Sequence, residues 1–236
     1  MPAYTESDLK YFRDRKAFTD KHEFTNPWFT IDNWPLFAGI VNISRFLAIY
    51  ELIKKVIHLP GHFCELGCWN GTNLVFMAKI LQILRPKDYT RIIGFDWFEG
   101  LENAQGKKDV KIDTKEAYNY GGNIELLKEI ISLYDLEDSV RIVNGNILDT
   151  LPTFLEDWKD TRFSFIYFDA DLYEPTKFGI ELLWPKLLDG GIMVFDEYND
   201  LDFPGETAAI HEVLGENVEL LSVPYTRQPT AYLVKE

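Results

Sequence analysis

The chain has 236 residues, 46% of them hydrophobic, with 38 Asp and Glu against 24 Lys and Arg and a formal net charge of −14. That length suits one large domain, or a domain with an arm, and buries a core without staples, while the acidic balance excludes a nucleic-acid surface built on clustered Lys and Arg. No run of eighteen apolar residues is present to span a bilayer, and the charged opening MPAYTESDLKYFRDRKAF has no apolar export segment, so a cytoplasmic enzyme is expected.

Residues 1–35 are dense in charges and large aromatics (Tyr11, Phe12, Phe18, Phe24, Trp28, Phe29, Trp34) without a clean period. So much aromatic surface asks for a partner, and the segment reads as a helical arm on a domain at 36–236: a lid, a subunit contact or a plain packing extension. From Leu36, the residues Ile40, Ile43, Leu47, Tyr50, Ile53 and Ile57 recur at helical steps until Pro60-Gly61. A short strand at 62–66 runs into a glycine turn, with Cys64 and Cys68 as reduced thiols around its end. Residues 72–84 are apolar nearly all round and read as a buried helix. A strand at 91–96 precedes a mobile surface loop at 100–122, where Lys107, Lys108, Lys111 and Lys115 show no periodicity. A helix follows, with Ile124, Leu127, Ile130, Ile131 and Tyr134 on one face. Further strands lie at 140–144, 163–170 and 191–195. Between the last two, Pro175 suits a first helical turn, Pro185 divides the helix and Gly190-Gly191 ends it. Short strands at 218–223 and 231–234 form an edge hairpin around the turn at 224–229.

Strand alternating with helix predicts a doubly wound α/β fold, whose five parallel strands and hairpin make a mostly parallel, seven-stranded sheet. Ligands in such sheets bind beyond the carboxyl ends of the strands, at the switch point of the strand order. The first strand ends in Glu65-Leu66-Gly67-Cys68-Trp69-Asn70-Gly71-Thr72, where the glycines let the backbone approach a ligand. Glu65 and Cys68 break the dinucleotide spacing G-x-G-x-x-G, and a carboxylate at Glu65 repels a pyrophosphate but suits an ammonium group, as in S-adenosylmethionine. Asp96, ending the second strand, can accept ribose hydroxyl protons. The third strand leads to Asn146, whose amide can read adenine. The fourth ends in Asp169-Ala170-Asp171-Leu172 and the fifth in Asp196-Glu197-Tyr198. Four carboxylates in one cleft repel unless one is protonated or a cation binds, and an oxygen-only set suits a hard ion such as Mg²⁺. His22, His58, His62 and His211 are scattered and read as surface or packing residues.

ELGCWNG, FDWFEGL, DTLP, DADLYEPT and FDEYND follow one another as in the macrocin-type sugar O-methyltransferases, class I S-adenosylmethionine-dependent enzymes, which the sequence resembles from about Pro60 to Asp200. The resemblance implies that Asp169, Asp196 and Glu197 ligate a divalent ion and that Asp171 is the general base. It implies that Glu65, Gly67, Gly71 and Asp96 hold S-adenosylmethionine, and Asn70, Trp97 and Asn146 are expected beside them. The expected acceptor is a sugar or nucleotide-sugar hydroxyl and the expected assembly a homo-oligomer, a dimer in the first instance. The sequence departs from the family at Glu197, where an aspartate is usual, and at Trp97, where a small hydroxyl residue is common. Leu172 stands where caffeoyl-CoA-type enzymes carry lysine. Other readings are a catechol or phenolic O-methyltransferase, a nicotinamide-dependent oxidoreductase and a non-catalytic binding module.

Overall fold

The structure is a computed structural model that describes residues 6–22, 26–86, 88–101, 108–109 and 121–236. Most of the loop expected at 100–122 lies outside the described residues. The chain runs through helices α1 (Glu6–His22), α2 (Pro27–Asp32), α3 (Trp34–Phe37) and α4 (Ile40–Val56), then β1 (His62–Leu66), α5 (Thr72–Leu84), β2 (Ile92–Asp96), α6 (Ile124–Leu133) and β3 (Val140–Asn144). It continues through α7 (Ile147–Asp157), β4 (Phe163–Phe168), α8 (Tyr173–Leu183), a 3₁₀ turn at Trp184–Lys186, β5 (Leu187–Phe195), α9 (Pro204–Leu214) and β6 (Ala231–Val234).

Among the described residues, six strands form one sheet in the order β3-β2-β1-β4-β5-β6. All neighbours are parallel except β5 and β6. Successive side chains on a strand point to opposite faces, and here both faces are apolar, as a doubly covered sheet requires. Phe63, Ile92, Phe165, Tyr167, Ile192 and Val194 pack against Ile53 of α4, Met77 of α5 and Leu127 of α6. Cys64, Leu66, Ile93, Phe95, Ile166, Phe168, Met193 and Phe195 pack against Leu151 of α7, Ile180 of α8 and Ile210 of α9. The order reverses between β1 and β4, which puts the switch point where Gly67 follows β1 and Asp169 follows β4.

The structure differs from the sequence expectation in three places. The sheet has six strands, because residues 218–223 make only an isolated bridge, Leu221 to Tyr232. Val218 and Leu220 pack on the α8–α9 side while Val223 packs on the α4–α5 side, and a segment crossing a sheet edge cannot keep strand register. β5 begins at Leu187, so Gly190-Gly191 lie inside it. Gly190 takes φ +77° and donates its N–H to Lys235 O, so the glycines bend the strand without ending it. In α4 the buried face is Ala48, Ile49, Leu52, Ile53 and Val56, while Ile40 and Leu47, on the expected stripe, are exposed. This helix is apolar on more than one side, so periodicity alone cannot select the face that meets the sheet. The N-terminal arm is largely helical in its described residues, as expected; its Tyr11 hydroxyl donates to Phe37 O at 3.0 Å, while Phe18, Trp28, Phe29 and Trp34 stay exposed.

The burial of α4 makes a direct prediction. Ile53→Ala should cost about 2–4 kcal/mol and Ile40→Ala less than about 0.5 kcal/mol in urea denaturation. Equal costs would mean that α4 packs through the other stripe.

Candidate active site

The turn after β1 holds a strained and crowded backbone. Gly67 takes φ +86° and Gly71 φ +77°, both in the left-handed region. A Cβ at Gly67 would lie 2.0 Å from the carbonyl oxygen of Asp169, so this position interlocks the ends of β1 and β4. Asp96 fixes the same turn: its Oδ2 accepts from the N–H groups of Cys68 at 2.6 Å and Trp69 at 2.7 Å, and its Oδ1 from Phe98 N–H at 2.6 Å. The expected ribose acid is thus also the post that holds the glycine turn.

A cleft of about 710 Å³ opens beyond this turn, within the usual size for a small-molecule site. Gly67, Asp96, Trp97 and Asn146 line one part, and Asp169, Asp171, Asp196 and Glu197 line another. The carbonyl oxygen of the Asn146 side chain caps α7 by accepting from Leu148 N–H at 3.0 Å, so its NH₂ is the group it can present to a ligand. Three expected cofactor residues are set back from the lining. Asn70 accepts from Asn123 N–H at 3.2 Å, and Gly71 caps α5. Glu65 is 1% exposed, and its Oε2 has no hydrogen-bond partner. Burial pushes the Glu65 carboxyl up to about 8, against the lowering effect of Asn73 and Arg45.

Register gathers the acids. Phe168 pairs with Phe195, so the residues that follow them, Asp169 and Asp196, emerge side by side. Arg45, projecting from α4, spans them: its Nη2 donates to Asp169 Oδ2 at 2.7 Å and lies 3.2 Å from Asp196 Oδ2. Asp196 is fully buried and accepts the Tyr167 hydroxyl on Oδ1. Asn73 Nδ2 donates to Asp169 Oδ2 at 3.1 Å. Asp171 takes φ +62° just past β4. One oxygen each from Asp169, Asp171 and Glu197 can be chosen so that all lie within 4.8 Å of one another.

All four acids expected from sequence therefore meet, but in a different grouping. Asp171 joins Asp169 and Glu197 in the tight cluster, while Asp196 is engaged from behind by Arg45 and Tyr167. Burial raises Asp169 and Glu197 well above the carboxylate range, with the Asp196 charge adding to it. Burial likewise lifts Asp171 to about 7, with Asp196 adding and Arg45 opposing. A cation among them would relieve that repulsion. The donor set fits a hard divalent ion, since it is all oxygen and Glu197 Oε2 is buried with no hydrogen-bond partner.

Arg45, Asn73, the Tyr167 hydroxyl and Gln228 escape sequence reasoning. Arg45 leaves one trace: it continues the buried stripe of Ile49, Leu52 and Val56 at helical steps, and a cation on an apolar stripe faces something acidic. None of the four histidines lines the cleft. His62 Nδ1 accepts Arg91 N–H at 3.0 Å and His211 Nε2 lies 3.3 Å from the Tyr198 hydroxyl, both packing roles.

A family profile described as Macrocin-O-methyltransferase (TylF) matches residues 7–213, and the chain belongs to that family. Demethyldecarbamoylnovobiocin O-methyltransferase of Streptomyces niveus is 30% identical over 175 residues, which are 70% of this chain and 64% of that protein. The 8-demethyl-8-(2,3-dimethoxy-alpha-L-rhamnosyl)-tetracenomycin-C 4'-O-methyltransferase of Streptomyces olivaceus is 27% identical over 174 residues, 70% of this chain and 65% of that protein. The match thus spans less than two thirds of either relative. The apo structure of CalS11, described as a TDP-rhamnose 3'-O-methyltransferase, superimposes with a TM-score of 0.78 at 28% identity, covering 98% of this chain and 96% of that one.

The buried Glu65 makes stability depend on pH. From about pH 4.5 to 8 the folded state keeps a proton that the unfolded chain has released, so stability falls as pH rises through that window. Glu65→Gln should remove this loss, on the order of 3–4 kcal/mol, bringing urea midpoints at pH 5 and pH 8 closer together. An unchanged pH dependence would show that Glu65 is ionised in the folded protein.

Proposed function

We propose that this chain is an S-adenosylmethionine-dependent, divalent-cation-dependent O-methyltransferase whose acceptor is a sugar hydroxyl, on a nucleotide sugar or a glycosylated natural product. The observation that carries the reading is the cluster of Asp169, Asp171 and Glu197 in a cleft whose other wall is a glycine turn held by Asp96. Membership of the macrocin O-methyltransferase family and the names of its relatives support the methyl-transfer chemistry and the sugar acceptor.

Gly67, Asp96, Trp97 and Asn146 are the residues that would hold S-adenosylmethionine, with Glu65, Asn70 and Gly71 shaping the turn behind them. Asp169 and Glu197 would hold the cation, backed by Asp196. When bound, the cofactor supplies an electrophilic methyl group and the cation a fixed positive charge close to the reacting hydroxyl. Asp171 would take the hydroxyl proton as the oxygen–methyl bond forms and the sulfur–methyl bond breaks, with S-adenosylhomocysteine as the leaving group. A free alcohol has a pKa near that of water, about 15.7, so even a carboxyl lifted to about 7 is a weak base for it. Proton transfer must therefore run together with methyl transfer, and positioning carries the larger share of the rate, since effective molarities exceed about 10⁵ M. Leu172 is buried and apolar beside the cluster. It places no cation against a phenolate, which favours an aliphatic sugar hydroxyl over a catechol.

Asp171→Asn should lower kcat by at least about 100-fold while S-adenosylhomocysteine binding, measured by calorimetry, changes less than threefold. Near-normal turnover would remove Asp171 as the base. Chelation with EDTA should abolish activity and added Mg²⁺ restore it; a chelated wild-type protein that works at full rate would end the cation reading.

A further inference from the structure

We propose that Gln228 is a positioning residue that locks Glu197 onto the acidic cluster, so that the C-terminal loop of the chain sets its affinity for the divalent cation. The inference rests on the cation reading above and extends it to a residue outside the 7–213 family match.

Glu197 is 3% exposed, and a glutamate side chain has one more rotatable bond than an aspartate. Left alone, it would lose part of any binding energy to ordering that bond. The structure fixes it at two points. Its backbone N–H donates to Glu206 Oε1 at 2.9 Å, which pins the main chain at the end of β5. Its Oε1 accepts from Gln228 Nε2 at 2.8 Å, which pins the carboxylate. The other oxygen, Oε2, is buried with no hydrogen-bond partner and is the atom left for a ligand.

The opposite end of the Gln228 amide completes a bridge. Arg45 Nη1 lies 3.4 Å from Gln228 Oε1, while Nη2 of the same guanidinium donates to Asp169 Oδ2 at 2.7 Å. The amide orientation follows from its two partners. Arg45 offers only donors, so the C=O faces the guanidinium, and the NH₂ then faces Glu197, whose carboxyl offers only acceptors in the ionised form that a cation ligand takes. Gln228 therefore links the acid after β5 to the acid after β4 through Arg45. The loop that carries it is fixed in turn. Thr226 Oγ1 donates to Gln228 O at 2.5 Å, and Thr230 N–H donates to Phe195 O at 3.0 Å, next to Asp196. Residues that orient a metal ligand from outside typically change metal affinity by about 10- to 100-fold when removed.

Gln228→Met keeps the size of the side chain and removes both hydrogen bonds. Mn²⁺ binding, followed by the loss of the free-ion electron paramagnetic resonance signal, should weaken by about 10-fold or more relative to wild type. S-adenosylhomocysteine binding on the same samples should change less than threefold, which shows a folded cleft. If Gln228→Met does not fold, Gln228→Asn, whose amide falls one methylene short, carries the same expectation. Unchanged Mn²⁺ affinity in the variant, or an equal loss of Mn²⁺ and S-adenosylhomocysteine binding, would overturn the inference while leaving the cation reading intact. A wild-type protein that takes up no Mn²⁺ would overturn both, and that arm is read before any variant.

Discussion

Arg45 sets a guanidinium against Asp169 and Asp196, and the convergence of acids at the end of the sheet depends on that one charge. Moving a carboxylate out of water costs several kcal/mol unless a partner compensates it. Glu65, Asp169, Asp171, Asp196, Glu197 and Glu206 all meet near the ends of β1, β4 and β5, and burial raises five of them above their ordinary range. An arginine suits the task better than a lysine. It stays charged when buried, and its planar fork serves Asp169, Asp196 and Gln228 from fixed directions. The pull of this cation is partial, since Asp169, Asp171 and Glu197 stay raised above their ordinary range beside it.

The two halves of the cleft are mechanically one unit. Gly67 lies so close to the Asp169 backbone that no side chain fits between them, and Asp96 ties the following residues to the end of β2 through two N–H groups, those of Cys68 and Trp69. A shift of the glycine turn therefore moves the acids, and the reverse. For the proposed methyl transfer, whose rate would come mainly from alignment, such rigidity is the relevant property of the fold. Asn70 and Gly71, expected near the cofactor, belong to this same turn and are set back from the cleft lining.

The strands supply a further constraint through parity. Glu65, Tyr167 and Val194 are paired across β1, β4 and β5, and Tyr167 and Val194 pack on the sheet face covered by α4 and α5. Arg45 and Asn73 come from those two helices. The polar network is thus the carboxyl-end continuation of an apolar layer, and water is excluded from its back by the same side chains that form the core.

The five parallel strands, the glycine turn and the four acids at the ends of β4 and β5 were legible in the residues, because burial on both faces writes continuous apolar runs and acids that end such runs are conspicuous. The motif order even reached the family. Sequence could not say which face of α4 meets the sheet, since that helix is apolar on several sides. For that reason it missed Arg45, the counterion of the site. It expected a seventh strand at 218–223 because local alternation carries no information about a segment that wraps an edge. It read Asp169, Asp196 and Glu197 as cation ligands and Asp171 as a base, and it could not show that Asp171 lies as near to Asp169 and Glu197 as they do to each other, nor that Asp196 meets Arg45 and Tyr167. Chemical identity and strand order are local properties of a chain. The partner of a buried charge is fixed only when α4 and the loop before β6, distant in sequence, close over the same strand ends.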